Sequence, residues 1–392
     1  MKFNIPFIGR GHIYTDDEVQ TVVNAMQTAI PLSQGEYQDR FQKKFCEYMS
    51  AKYAFAVSNA TAALELSAKL CQLQPDDEVV IPAHTFTSSA YPFLKQGAKI
   101  VWADIDLKTR VITAQTIKKC ITKRTKAIVV VHLYGYCADM PEIMNLAKKN
   151  NLLVIEDAAQ ALGANINNQM AGTFGDFGVF SFHSHKNITT LGEGGMLVVK
   201  NQKVAEIIPR LRHNGHCDFN FNRKQFWIPA MGNVDLPELN GQTMWPSNYC
   251  LGEVECALGV KLLDRIDQIN KAKRDRAIRF IDSMSKFPEL EFHREVSERH
   301  NYHLLVAQVV NGKRNIIISK MVEAGVQCVV QYYPLNRYDF YKKLGYGEAD
   351  CPNTNQFFDN MISFPFHHSL RESELTRILQ ASYEVVEVLR QE

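Results

Sequence analysis

Lys186 lies in SFHSHKNITTLGEGGM (181–196), just after the apolar run FGVFSF (177–182) and just before a glycine-rich turn. Upstream, VIEDAAQ (154–160) closes another apolar run on an acid, Asp157. An amine and a carboxylate, each at the end of a predicted strand, could hold a carbonyl cofactor covalently at one end and by a buried charge at the other. A lysine attacks a carbonyl only when deprotonated, and burial favours that form. A carboxylate at hydrogen-bond range keeps a pyridine nitrogen protonated, which makes the ring an electron sink. Taken singly, Lys186 reads as a loop lysine and Asp157 as a strand-end acid capping the next helix. The two together favour the chemical reading.

A phosphate anchor belongs to the same constellation. VSNATAALEL (57–66) supplies a strand end, small residues and Thr61 at a helix start, where unclaimed backbone amides attract phosphate. Ser181, five residues before Lys186, adds a hydroxyl. Phe86, in IPAHTFTSS (81–89), suits stacking on a pyridine ring, although an aromatic after a strand is more often core. These features point to pyridoxal 5'-phosphate (PLP). The glycines of LGEGG (191–195) lack the G-x-G-x-x-G order and precede a strand, so they make no nucleotide-binding loop.

Seven short apolar runs must position these groups: 54–57, 78–81, 99–102, 127–132, 152–155, 179–182 and 196–199. Segments of helical period, such as 61–70 and 140–149, separate most of them. Apolar strands alternating with helices predict an α/β fold, a mainly parallel seven-stranded sheet covered on both faces. Thr15 and Glu18 predict a capping box for a first helix. Val254, Leu258, Leu262, Ile266 and Ile269 predict one long helix from Gly252 to about Phe287. That places a large domain at 1–252, and the linking helix with a smaller α+β domain at 253–392. A closing amphipathic helix is expected after Arg371.

The chain has 392 residues, 46% hydrophobic, with a net charge of +2. That balance gives no reason to expect nucleic acid or an acidic membrane surface as a partner. No run of eighteen apolar residues occurs, and the N-terminus has no signal-like apolar core. Nine cysteines without C-x-x-C spacing read as reduced thiols, so a cytoplasmic location is expected.

SFHxxKxxTxxGEGG, IEDAAQ, SNATAALEL and TFTSSA resemble, in order and spacing, the sugar aminotransferases of the DegT/DnrJ/EryC1/StrS family, which are fold-type I PLP enzymes. The likeness runs from about Thr15 to Pro365 and includes VVQYYPL and ISFPFHHSL. It implies that Lys186 links covalently to the cofactor and Asp157 holds the pyridine nitrogen. It implies further that Gln160 binds the ring oxygen, Phe86 stacks, and Ala60, Thr61 and Ser181 hold the phosphate. Asn248 matches an asparagine that reaches the phosphate of the neighbouring subunit, which implies a homodimer with shared active sites. The implied reaction is ping-pong transfer of an amino group from L-glutamate to an oxo-sugar, in amino-sugar biosynthesis of the kind that feeds cell-surface polysaccharide.

The departures concern the acceptor. Cys250 stands where the family usually has arginine, and Asn336 where a histidine is common. The segment 214–247 carries Phe219, Phe221, Phe226, Trp227, Trp245, Arg223 and Lys224, which read either as a substrate mouth or as a packed surface loop. MWPSNYCLGEVECALG resembles a subgroup related to the aminotransferase making 8-amino-3,8-dideoxy-manno-octulosonate, which acts on a free, carboxylate-bearing sugar. The alternative acceptor is a nucleotide-linked 3- or 4-keto-6-deoxy sugar. Among rival classes, PLP-dependent sugar dehydratases replace the lysine with histidine, whereas here Lys186 keeps its place beside His183 and His185. No helix-turn-helix pattern precedes Thr15, which disfavours a PLP-binding sensor. A metal hydrolase built on His183, His185, Asp157, His213 and His216 leaves the phosphate anchor unexplained.

Overall fold

The computed structural model describes residues 3–7, 13–216, 235–236, 242–310, 312–367 and 369–391. Seven strands build the large sheet: β1 (Tyr53–Val57), β2 (Glu78–Pro82), β3 (Lys99–Ala103), β4 (Thr125–Val131), β5 (Leu153–Asp157), β6 (Phe177–Ser181) and β7 (Gly195–Val199). They coincide with the seven apolar runs of the sequence. Their order is β1-β7-β6-β5-β4-β2-β3. Only the pairings of β7, with β1 and β6, are antiparallel. Strands β2, β4 and β5 are buried on both sides along most of their length, so period-two alternation of apolar and polar residues does not develop.

Parallel register brings the carboxyl ends of β4, β5 and β6 together, with Val131 opposite Asp157 and Asp157 opposite Val179. Open parallel sheets bind their ligands along such an edge. The adjacent acids of β5 face opposite ways, as strand geometry requires. Glu156 is fully buried and accepts from the amides of Gly172 (2.8 Å), Phe174 (2.6 Å) and Gly175 (2.6 Å), and shares a bond with His132 (2.8 Å). It anchors the loop that leads into β6. Asp157 is left facing the site.

The capping box forms as predicted: Thr15 Oγ1 accepts from the Glu18 amide, and Glu18 accepts from the Thr15 amide. The long helix does not. Two helices, Glu253–Leu263 and Ile266–Met284, meet at a break where Arg265 leaves helical geometry (φ −117°, ψ 9°). Arg265 is drawn aside to Glu18 at 2.6 and 3.0 Å, and Lys44 grips Asp264. Upstream of the break the chain packs on the helices Asp16–Thr28 and Glu36–Met49. Downstream it crosses to a second hydrophobic core that begins at Ala277. One straight helix could not serve both.

The second core lies under a three-stranded antiparallel sheet of β8 (Leu290–Phe292), β9 (Leu305–Val309) and β10 (Met361–Phe364). The closing helix, Glu372–Gln391, packs on this side as expected. Among the described residues no helix is long and apolar enough to cross a membrane, and eight cysteines are free thiols.

Candidate active site

A cavity of about 540 Å³ opens at the carboxyl edge of the sheet. Ala60, Thr61, Phe86, Asp157, Gln160, Ser181 and Lys186 all line it. Seven residues spread from Ala60 to Lys186 thus converge on one space. Asn248 does not line it; it forms an antiparallel bridge with His213 on the segment that follows the undescribed loop. Phe219, Phe221, Arg223, Lys224, Phe226 and Trp227 lie outside the described residues, and Trp245 is exposed.

Asp157 ends β5 and is 7% exposed. The Ser89 hydroxyl donates to its Oδ2 at 2.7 Å and the Ala159 amide to its Oδ1 at 3.1 Å. With the Ser89 hydrogen so used, the Thr85 hydroxyl donates to Ser89 at 2.9 Å. These bonds orient the carboxylate and leave acceptor capacity facing the cavity.

Lys186 is carried on the turn after β6. Its amide donates to the His183 carbonyl at 2.8 Å, and the amides of Phe182, Ser184 and Thr190 strap that turn to the glycine-rich return. Gly192, at φ +121°, makes the return possible in a region side chains seldom adopt. Loss of water lowers the Lys186 pKa to about 8, against the opposing pull of the Asp157 charge. An amine in that range exchanges protons readily near neutral pH.

The helix Ala60–Leu70 begins at the cavity wall. Asn59 caps it, its side chain accepting from the Ala62 amide at 2.9 Å. The Ala63 amide makes the first turn's bond to the Asn59 carbonyl, so the amides of Ala60 and Thr61 come before the helical ladder. Thr61 Oγ1 donates to Ser88 Oγ at 3.0 Å. A side chain on Gly195 would place its Cβ 2.5 Å from the Asn59 carbonyl carbon and 2.8 Å from the Ala60 nitrogen. β7 therefore has to be bare where it supports this helix start. The arrangement fits the phosphate end of PLP, and the Lys186–Asp157 pair fits its carbonyl and ring nitrogen.

Gln160 accepts from the Tyr134 amide at 2.7 Å and donates to the Tyr332 hydroxyl at 2.8 Å, which leaves one amide hydrogen for a ligand. Burial raises the Tyr332 pKa to about 12, so this phenol stays protonated. Phe86 is 56% exposed and meets Tyr332 edge-on, ring centroids 6.2 Å apart. An aromatic with that much exposed surface on a cavity wall is not core.

Sequence reasoning missed the lining residues that come from the C-terminal part of the chain: Lys273, His303, Gln331, Tyr332 and Phe366. Lys273 carried a signal, because it continues the apolar spacing Ile266, Ile269 with a charge. Of the histidines proposed for metal, His183 and His185 meet at 4.8 Å on the cavity rim. His213 and His216 stack on each other at 4.4 Å and line no part of it. Among the described residues no three such groups cluster to hold a metal. Cys250 is half-buried, against the Arg212 carbonyl, and Asn336 is buried.

Comparison with known proteins agrees with this geometry. Spore coat polysaccharide biosynthesis protein SpsC of Bacillus subtilis is 32% identical over 98% of this chain and 97% of its own length. GDP-perosamine synthase of Vibrio cholerae is 30% identical over 88% of this chain and 90% of its own. The crystal structure of NtdA from Bacillus subtilis, with pyridoxamine phosphate bound, superposes with a TM-score of 0.84 at 26% identity, covering 98% of this chain and 85% of that one. Residues 13–382 match throughout, and the chain belongs to the DegT/DnrJ/EryC1/StrS aminotransferase family of PLP-dependent sugar transaminases.

Proposed function

We propose that this protein moves an amino group from L-glutamate to an oxo-sugar by a ping-pong cycle, with Lys186 and Asp157 as its catalytic pair. The observation that carries the reading is that both line one cavity with the start of the Ala60–Leu70 helix. PLP bound there supplies a carbonyl for the incoming amine and a ring that accepts electrons from the donor carbon. Asp157, oriented by Ser89 and Ala159, holds the proton on the ring nitrogen. With the cofactor bound, Lys186 Nζ would be the group that takes the proton from the donor α-carbon and, in the second half, returns one to the acceptor carbon. Amides of Ala60 and Thr61 and the Ser181 hydroxyl hold the phosphate. The remaining Gln160 hydrogen would serve the ring oxygen, and Phe86 would pack against the ring.

On the same reading the molecule works in the cytoplasm as a homodimer, with Asn248 completing the phosphate site of its partner. Asn248 being off its own chain's cavity wall supports that assignment. Units of 1–252 and 253–392 close around the site. For the acceptor, GDP-perosamine synthase among the relatives supports a nucleotide-linked keto sugar. Cys250, Asn336 and the segment around Asn248 support a free sugar acid, 8-oxo-3-deoxy-manno-octulosonate. Visible absorbance of the PLP-loaded protein tests the donor half: L-glutamate should bleach the yellow band and release 2-oxoglutarate. A band that no amino donor moves would overturn the reading in favour of a dehydratase or sensor. A panel of free and nucleotide-linked oxo-sugars then restores the band with one class only.

A further inference from the structure

Lys273 lies on the Ile266–Met284 helix and lines the same cavity as Lys186. It is 4% exposed. Its ammonium donates to Asn187 Oδ1 at 3.0 Å and to the His303 carbonyl at 2.8 Å, and sits 5.5 Å from the centre of the Phe366 ring. Both acceptors are neutral. An ammonium has three hydrogens, and the protein takes two. The charge that acts on it among the described residues is Arg276, of the same sign.

Burying a cation is expensive unless an anion compensates it. Among the described residues the two cavity acids are committed elsewhere, Asp157 beside Lys186 and Glu193 at the rim beside His183 (3.8 Å). His303, whose ring approaches Asn187 Oδ1 at 3.4 Å, is held neutral by burial and by both lysines. The helix-start amides of Ala60 and Thr61, read above as the phosphate anchor, belong to a different element from Lys273, whose bonds go to Asn187 and His303. Lys273 is therefore a second positive pole, desolvated, with one donor to spare and, among the described residues, no acid of its own.

We infer that Lys273 binds the carboxylate of the amino donor, and of the 2-oxo acid that leaves, through its third N–H. The inference rests on the aminotransferase reading for the identity of the donor, but the site itself recognises a carboxylate. No bond is made or broken at Lys273; it fixes the donor so that the α-carbon faces Lys186.

Glutarate, a dicarboxylate without an amine, probes the site without turnover. Calorimetric titration of the PLP-loaded protein should show glutarate binding that weakens about 10- to 100-fold in Lys273→Met, the size of one lost charge-assisted bond. Lys273→Arg should stay within a few-fold of the native protein. In the glutamate half-reaction, Lys273→Met should raise the half-saturating concentration by a similar factor and leave the limiting rate much less changed. Lys273→Gln, which keeps polar contacts with Asn187 and His303, serves if the methionine variant fails to fold. Unchanged glutarate affinity in the neutral variants, no glutarate binding by the native protein, or a loss confined to PLP affinity would each overturn the assignment. Native protein that binds glutarate through Lys273 yet is not bleached by glutamate would keep the carboxylate site and sink the donor reaction.

Discussion

The two walls of the cavity are built differently, and their lysines show it. Lys186 stands on a strapped turn at the edge of the large sheet, in a wall made largely of strand ends and backbone. Lys273 stands on a helix that crosses to the smaller core, in a wall made of side chains: His303, Tyr332 and Phe366. Both amines lose water, and both pKa values fall from 10.5 for that reason. Lys186 has a carboxylate to oppose the fall and stops at about 8. Lys273 has only Arg276, which adds to it, and reaches about 7. A carboxylate within reach leaves an amine suited to exchanging protons. Its absence leaves one that gains most from an anionic ligand, since a bound carboxylate would restore the missing charge and raise that pKa.

The sharpest way to break the comparison is Lys186→Arg. Arginine keeps a positive charge on the sheet-side wall but has no amine that deprotonates near neutrality. Turnover should fall by about a thousandfold or more, given the scale of general acid–base catalysis with nucleophilic function lost as well. Glutarate binding should persist, because it depends on the other wall. Turnover within tenfold of the native protein, measured by 2-oxoglutarate release, would mean the two lysines have been assigned the wrong way round.

Gly195→Ala tests the stiffness of the sheet-side wall. The new Cβ would lie 2.5 Å from one backbone atom and 2.8 Å from another, and neither can swing away as a side chain would. The helix start must shift, at a cost of about 1–3 kcal/mol by analogy with overpacked cores. PLP affinity should drop about tenfold or more, because the amides of Ala60 and Thr61 move with it. Native PLP affinity in this variant, read from the visible band, would show that the phosphate is not held at this helix.

The sheet-side wall was also the legible one. Strand ends announce themselves in sequence, because a β-branched run stops where the chain turns. Asp157 and Ser181 each sit at such a stop, and Thr61 and Lys186 each follow one by a few residues. Glu156 and Asp157 are indistinguishable by composition; only strand alternation, with a loop waiting to be anchored by Glu156, sends the second acid to the cavity. The remaining lining comes from four separate stretches, around 273, 303, 331 and 366, with no shared local signature. The same difficulty produced the single long helix. Apolar spacing runs on through Asp264 and Arg265, and what breaks the helix there is long-range, the pull of Glu18 and Lys44 from the first two helices.

The smallest effect separates the lysines by pH. Each is protonated more readily in the unfolded chain, at about 10.5, than in the folded one. Between the folded and unfolded values the unfolded state binds more protons, so stability rises with pH. For Lys273 the rise begins near pH 7, and for Lys186 near pH 8; both end near 10.5. Below those onsets each charged amine destabilises the folded protein, and Lys186, partly open to the cavity, does so less because solvent screens it. In cofactor-free protein, Lys273→Met loses two hydrogen bonds at every pH, and its melting temperature should stand highest relative to the native chain below about pH 7, where the buried charge is fully present. That relative height should shrink from about pH 7 upward, whereas the smaller one of Lys186→Met should hold until about pH 8. Melting curves taken at half-unit steps resolve an offset of one unit. Coincident onsets would mean that the two amines see the same surroundings, and that an acid compensates Lys273 after all.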